Sequence, residues 1–300
     1  MPFARFMEQA LYHPAHGYYS SGRARIGRGG DYFTSVSVGP LFGRMMAAQF
    51  AEIRERLGSP DDFTIVEQGA HRGEFARDVL QHFDGGVRYV IVELFPALRE
   101  EQRRTLRGFD VEWCGEIPPF RGVHFSNELI DSMPVHLVQW TGSEWLERHL
   151  DENLIFVDLP IANPQLVERV AQIPLPLPSG YETEVNLAAL EWIETLALKL
   201  EQGFIIAADY GFPRDEYYAL HRTRGTLQSY VNHKLLEDPL ANVGEADLTA
   251  HVEWTSLAER ALECGMQLAG FMDQHHFLTG LLTEELTADA KSTRALQTLI

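Results

Sequence analysis

Hydrophobic positions along the chain follow two alternating rhythms. Short apolar, β-branched runs recur between stretches with helical spacing, which predicts βαβ units and a largely parallel sheet. "FTIVEQG" at 63–69 is the first run, and the helical "EFARDVLQHF" after it carries Phe75, Val79 and Phe83 at a spacing of four. "VRYVIVEL" at 87–94 is the second run. The pattern "PALREEQRRTLRG" then has Pro96 at a helix-start position and Gly108 at its end. "FDVEWCG" and "GVHFSNELID" predict a third and a fourth strand, and "GFIIAADYG" at 203–211 a fifth, its apolar centre reading as buried on both faces.

Between the fourth and fifth strands the period shortens to two. "VHLVQW", "EWLERHL" and "NLIFVDLP", separated by "TGS" and "DE", predict a small antiparallel meander inserted at about 135–185. "NLAALEWIETLALKLEQG" at 186–203 returns to helical spacing with a terminal glycine. The organisation expected is a helical N-terminal extension with a Gly- and Arg-rich loop at 1–60, an α/β core at 61–215, and a C-terminal completion with helical additions at 216–300. The strand-like run "MQLAGFM" falls in that last part.

Composition narrows the function classes. With 300 residues and 45% hydrophobic content a packed α/β core is expected, and a formal charge of −18 argues against a nucleic-acid partner. Cys114 and Cys264 stand far apart, so neither a disulfide framework nor a zinc site is expected, and both read as thiols in a reducing compartment. The twelve histidines show no metal-ligand spacing, and no metal is expected. No apolar stretch is long enough to span a bilayer and the N-terminus lacks a signal-like region, which predicts a cytoplasmic protein with no membrane span.

Ligands of open α/β sheets bind beyond the carboxyl ends of the strands. After the first strand, Glu67, Gly69 and Gly73 fit E-x-G-x-x-x-G, with His71 where a dinucleotide turn would carry its second glycine. Alone, the pattern fits a ligand-free strand-to-helix turn equally well. Glu93 ends the second strand 24 residues after Gly69, near the offset at which an acid meets ribose hydroxyls. Together they suggest an adenosine cofactor, and the missing dinucleotide pattern favours S-adenosylmethionine over NAD. "SNELIDSMPVH" after the fourth strand offers Asn127, Glu128, Asp131 and His136. Glu128 and Asp131, three apart, would share one face of a helical turn and could hold a guanidinium, although helix-start acids explain them as simply. "RIGRGGDYFTS" at 25–35 could form a lid around Asp31, and "ADYGF" at 208–212 sets Asp209 and Tyr210 at the end of the fifth strand.

These motifs, with "HPAHGYYS" at 13–20, "GGDYFTS" at 29–35, "LFG" at 41–43, "VEQGAHRG" at 66–73, "IVEL" at 91–94, "NELIDSMPVH" at 127–136, "ADYG" at 208–211, "RGTLQSY" at 224–230 and "GEADLTAHVEW" at 244–254, resemble the MidA family of S-adenosylmethionine-dependent methyltransferases. Mitochondrial members of that family act as complex I assembly factors. The resemblance implies a class I, Rossmann-like methyltransferase fold and, for the mitochondrial members, methylation of a protein arginine. It places Glu67, Gly69, His71, Gly73, Glu93 and Asn127 at the cofactor, and Asn127, Glu128, Asp131 and Pro134 in the motif after the fourth strand. The family usually has glycine where His71 stands and proline where Ala70 stands. A negative φ at His71 would make the substitution cheap; a positive one would add strain of about 1 kcal/mol or more.

The mechanism expected has Glu128 and Asp131 orienting an arginine nitrogen while the loop at Asp31 closes over it. Alternatives are a binding or assembly protein that has lost methyl transfer, a small-molecule methyltransferase, and, last, an NAD-dependent oxidoreductase.

Overall fold

The computed structural model describes residues 1–21, 39–231, 234–282, 295 and 298–299. The loop around Asp31 lies outside these residues. The chain begins with α1 (Phe3–Tyr12) and α2 (Leu41–Arg56), then alternates β1 (Phe63–Gln68), α3 (Glu74–Leu80), β2 (Arg88–Val92), α4 (Pro96–Thr105), β3 (Val111–Cys114) and β4 (Phe120–Asn127). These strands, with a later one, make a parallel sheet, so the expected α/β class I arrangement is what the chain adopts.

Sheet pleating sends alternate side chains to opposite faces. Ile65, Tyr89, Ile91 and Phe125 pack under α2 and α3, where Phe75 stacks on Phe125 with centroids 4.4 Å apart. Val66, Val90 and Phe120 pack on the other face under α6 (Leu187–Lys199), whose Trp192, Ile193 and Leu196 are buried there. Phe75, Val79 and Phe83 are all buried, as their spacing predicts, with Phe83 just past the helix end.

The region of period-two alternation forms β5 (His136–Trp140), β6 (Trp145–Leu150), β7 (Phe156–Pro160) and β8 (Tyr181–Val185), an antiparallel sheet in the order β7-β6-β5-β8. A short helix, α5 (Pro164–Val170), bridges β7 and β8. α1 packs on this sheet, Phe3 against Phe156, which delivers the end of α1 towards the strand tips of the main sheet.

The fifth parallel strand, β9 (Leu200–Ala208), pairs with β4 and completes the order β3-β2-β1-β4-β9. It departs from expectation, and so does a later segment. Its residues are half-buried rather than enclosed, because no described strand pairs with its outer edge, and "MQLAGFM" forms no strand: Leu268, Phe271 and Met272 are exposed. Gly203 also does not cap α6. It lies inside β9 at φ 142°, where a Cβ would come 1.9 Å from the Gly122 carbonyl oxygen, so it serves close backbone approach.

Beyond β9 the chain forms β10 (Gly211–Phe212), α7 (Arg214–Tyr217), β11 (Gln228–Val231), β12 (Lys234–Leu235), β13 (Asp247–Thr249), β14 (Val252–Glu253), α8 (Trp254–Glu263) and α9 (Gln274–Gly280). Among the described residues no helix is long and apolar enough to cross a membrane.

Candidate functional site

The chain leaves β1 through a turn built on positive φ: Gly69 at 75°, His71 at 43° and Gly73 at 80°, after which α3 begins. His71 therefore takes the strained alternative left open by the sequence. A buried side chain holds it there. Gln102 donates from Nε2 to the His71 carbonyl at 2.9 Å and to Glu93 Oε2 at 3.0 Å, while Trp113 Nε1 donates to Gln102 Oε1 at 2.9 Å. One amide thus ties the glycine turn to the acid at the end of β2. Glu93 Oε1 accepts from the Phe95 backbone N–H at 2.9 Å; burial raises its carboxyl above the ordinary value, against these hydrogen bonds.

Glu67, Gly69, His71, Glu93, Asn127 and Glu128 all line one cavity of about 830 Å³. Gly73 stands behind it as the residue before α3. Glu67 points to the α2–α3 face, where the Tyr89 hydroxyl donates to Oε2 at 2.6 Å; burial without a countercharge pushes its carboxyl up to about 7.

At the far end of the cavity the expected helical turn is absent. Residues 128–133 form an irregular turn, with Glu128 at φ 50°. The reason is Asp209, whose Oδ2 accepts from the backbone N–H groups of Leu129, Ile130 and Asp131 at 3.1, 2.8 and 3.2 Å. A carboxylate from the end of β9 thus replaces helical partners. Glu128 N–H donates to the Ala208 carbonyl at 2.8 Å, and Asn127 Nδ2 donates to Glu128 Oε1 at 3.2 Å. Asp131, expected beside Glu128 in the site, is not among the residues that line the cavity; it lies behind that wall, near Asp209 and Asp247. Burial first, then the charges of Asp209, Asp247 and Glu128, push its carboxyl well above the usual range. Asp209 is raised to about 6 by burial, against its four backbone hydrogen bonds. His136 is not part of the site; it starts β5 and pairs with Glu147 at 2.6 Å.

Aromatic residues from α1 and the loop after it, which the sequence left unassigned, close this end. Tyr12 stacks between Tyr19 and Phe95 at centroid distances of 5.6 and 6.4 Å, and its hydroxyl donates to Ser132 Oγ at 2.9 Å. The Tyr19 hydroxyl donates to Asp247 Oδ1 at 2.7 Å. No local pattern marks Tyr12, Tyr19 or Gln102 as site residues, since each acquires its partners through folding; Asp209 is legible as a strand-end acid, but its hold on the 129–131 turn is not.

Residues 45–272 match a family described as S-adenosyl-L-methionine-dependent methyltransferases. The chain belongs to this family. A COG1565 superfamily protein from Burkholderia thailandensis, crystallised with S-adenosyl-homocysteine, is 34% identical and superposes with a TM-score of 0.91, covering 100% of this chain and 84% of that one. The human "Protein arginine methyltransferase NDUFAF7, mitochondrial" is 26% identical over 93% of this chain and 69% of its own length. Its Drosophila melanogaster homologue is 27% identical over 85% and 65%. The chain thus spans about two thirds of these curated relatives. Their designation as mitochondrial overturns the cytoplasmic expectation, which rested only on the character of the N-terminal residues and the lack of a long apolar stretch.

The residues present fit the family's cofactor, S-adenosylmethionine. Glu93 uses one hydrogen bond on each carboxylate oxygen, leaving acceptor capacity for two ribose hydroxyls. Beside it Leu94 is 66% exposed into the cavity, and Ile117 and Trp192 add apolar wall suited to a flat base.

Proposed function

We propose that this methyltransferase acts on a guanidinium nitrogen of a protein arginine. The observation that carries the reading is the acidic far end of the cavity, where Glu128 lines the wall and Asp131, Asp209 and Asp247 lie behind it; burial, then the charges of Asp209, Asp247 and Glu128, raise the carboxyl of Asp131. A bound cation relieves that repulsion, and a planar guanidinium can be held by carboxylates and packed on rings such as Tyr12. The names of the human and fly relatives as protein arginine methyltransferases support the same substrate class.

When bound, S-adenosylmethionine supplies an electrophilic methyl group on a sulfonium, which leaves as a neutral thioether. The chain's own residues do the rest. Glu93 and the Gly69–Gly73 turn seat the adenosine end, and Glu67 offers a buried carboxylate to the cationic amino-acid end. Glu128 orients the attacking nitrogen and accepts its proton, while Asn127 hydrogen-bonds its carboxylate, the Ala208 carbonyl accepts its backbone N–H and Asp209 anchors the turn that follows.

The test is methyl transfer from labelled cofactor to arginine-bearing protein, with the modified residue located by mass spectrometry. Glu128→Gln is expected to lower transfer by about 10²–10⁴-fold while S-adenosylhomocysteine affinity stays within about twofold. Label only on small molecules counts against an arginine acceptor. Binding without turnover on any arginine-bearing protein would instead support the assembly-protein alternative.

A further inference from the structure

The α6 face of the cavity carries a polar side chain with no role so far. Gln68 is the last residue of β1, on the opposite face of the sheet from Glu67 and in register with Val92 and Cys114. Trp192 Nε1 donates to Gln68 Oε1 at 2.7 Å, and His124 Nε2 lies 2.9 Å from the same oxygen. An indole N–H can only donate, so the shared atom is the amide oxygen, and the His124 nitrogen facing it carries the proton. His124 is fully buried, and burial pushes its imidazole down to about 3, so the ring is a neutral donor.

Two donors on one oxygen fix the rotation of the amide. Its nitrogen, with two N–H groups, has no hydrogen-bond partner among the described residues, and Gln68 lines the cavity beside Val92, Ile117 and Trp192. The side chains of Val92, Ile117 and Trp192 there are apolar, whereas the acid on the opposite face, Glu67, suits a cationic group. A purine ring offers what the amide lacks, because its edge nitrogens are acceptors.

We propose that Gln68 donates from Nε2 to an acceptor nitrogen of the cofactor's adenine ring, with Trp192 and His124 as the positioning residues that hold the amide. The assignment rests on the cofactor occupying this cavity. Gln68 then works as a specificity element: an amide whose oxygen is already occupied presents only donors, so it favours a base edge that accepts.

Isothermal titration at pH 9 with S-adenosylhomocysteine and with 5′-methylthioadenosine, which lacks the amino-acid end, tests the assignment. Gln68→Leu is expected to weaken both ligands by about tenfold. Gln68→Glu keeps an acceptor for Trp192 and His124, and so keeps the packing, but turns an oxygen towards the base; its loss should be at least as large in protein that retains a cooperative unfolding transition. A merely structural Gln68 would leave the affinity of Gln68→Glu unaltered. Trp192→Phe should also weaken both ligands, and adding Gln68→Leu to it should bring less than the additive loss.

Glu-variant affinities within twofold of wild type, additive losses in the double variant, or a loss confined to S-adenosylhomocysteine would each overturn the adenine contact. If the unsubstituted protein bound neither ligand, the cofactor's place in this cavity would fail instead.

Discussion

His71 stands at φ 43° in a turn whose carbonyl is clamped by Gln102, so the backbone there is not free to relax. A left-handed conformation costs an L-residue about 1–2 kcal/mol and costs glycine nothing, while glycine adds about 0.4–1 kcal/mol of unfolded-chain entropy. Comparing His71→Gly with His71→Ala cancels every contact of the imidazole and isolates the backbone. The glycine variant is expected to be more stable than the alanine variant by about 0.5–1 kcal/mol, or about 2 °C in unfolding midpoint for a chain of this size. Differential scanning calorimetry of the two proteins side by side reads the difference directly. Alanine equal to or more stable than glycine would refute the positive φ and the strain argument with it. In the same samples, S-adenosylhomocysteine should bind His71→Gly within about threefold of wild type, since the anchoring glycines on either side are unchanged.

The carboxyl of Glu67 is raised to about 7, so in the folded state it holds its proton over a range where the unfolded chain has lost it, and stability from this group declines as pH rises from about 4.5 to 7. Glu67→Gln, which still accepts from Tyr89, should remove that decline and be up to about 3 kcal/mol more stable at pH 8 in urea titration, yet bind S-adenosylmethionine more weakly. A variant that kept the wild-type pH dependence would contradict this. Gln102→Leu breaks the bridge between His71 and Glu93 and strands the Trp113 N–H, so a loss of about 2–3 kcal/mol in stability and about tenfold in cofactor affinity is expected; unchanged affinity would show that the bridge does not position Glu93. Asp209→Ala removes the acceptor of four backbone N–H groups, three of them in the 129–131 turn. It should destabilise by about 2–4 kcal/mol and lower methyl transfer more than cofactor binding, and a loss below about 1 kcal/mol would rule out the anchoring role.

The parallel core was legible because its strands are short β-branched runs and its helices space apolar residues for one face, as Val66, Val90, Phe75 and Val79 illustrate. β8 escaped notice because two of the five residues of "YETEV" are acids; Glu184 is buried there only because the Thr226 and Leu227 N–H groups and the Tyr217 hydroxyl reach it from residues 217–227. β9 read as enclosed from its composition, but strand burial depends on what pairs beyond it. Glu67, Gly69, Glu93, Asn127 and Glu128 could be picked out because strand ends and glycine spacing are local features. The grip of Asp209 on the 129–131 turn, the Gln102 bridge and the Tyr12 stack join residues far apart in sequence, so no local pattern announces them. The same distance explains why "NELIDS" looked helical: its acids suit a helix start, and the competing partner stands 79 residues beyond Ile130.

A crystal structure of the protein with S-adenosylhomocysteine tests the central claim most directly, that this cavity seats the cofactor between Glu93 and Glu128. The expected result is Glu93 accepting from both ribose hydroxyls at about 2.6–3.0 Å, the backbone of Gly69 against the ligand, and the sulfur directed towards Glu128. Cofactor bound elsewhere, or its ribose held away from Glu93 by the His71 side chain, would contradict it.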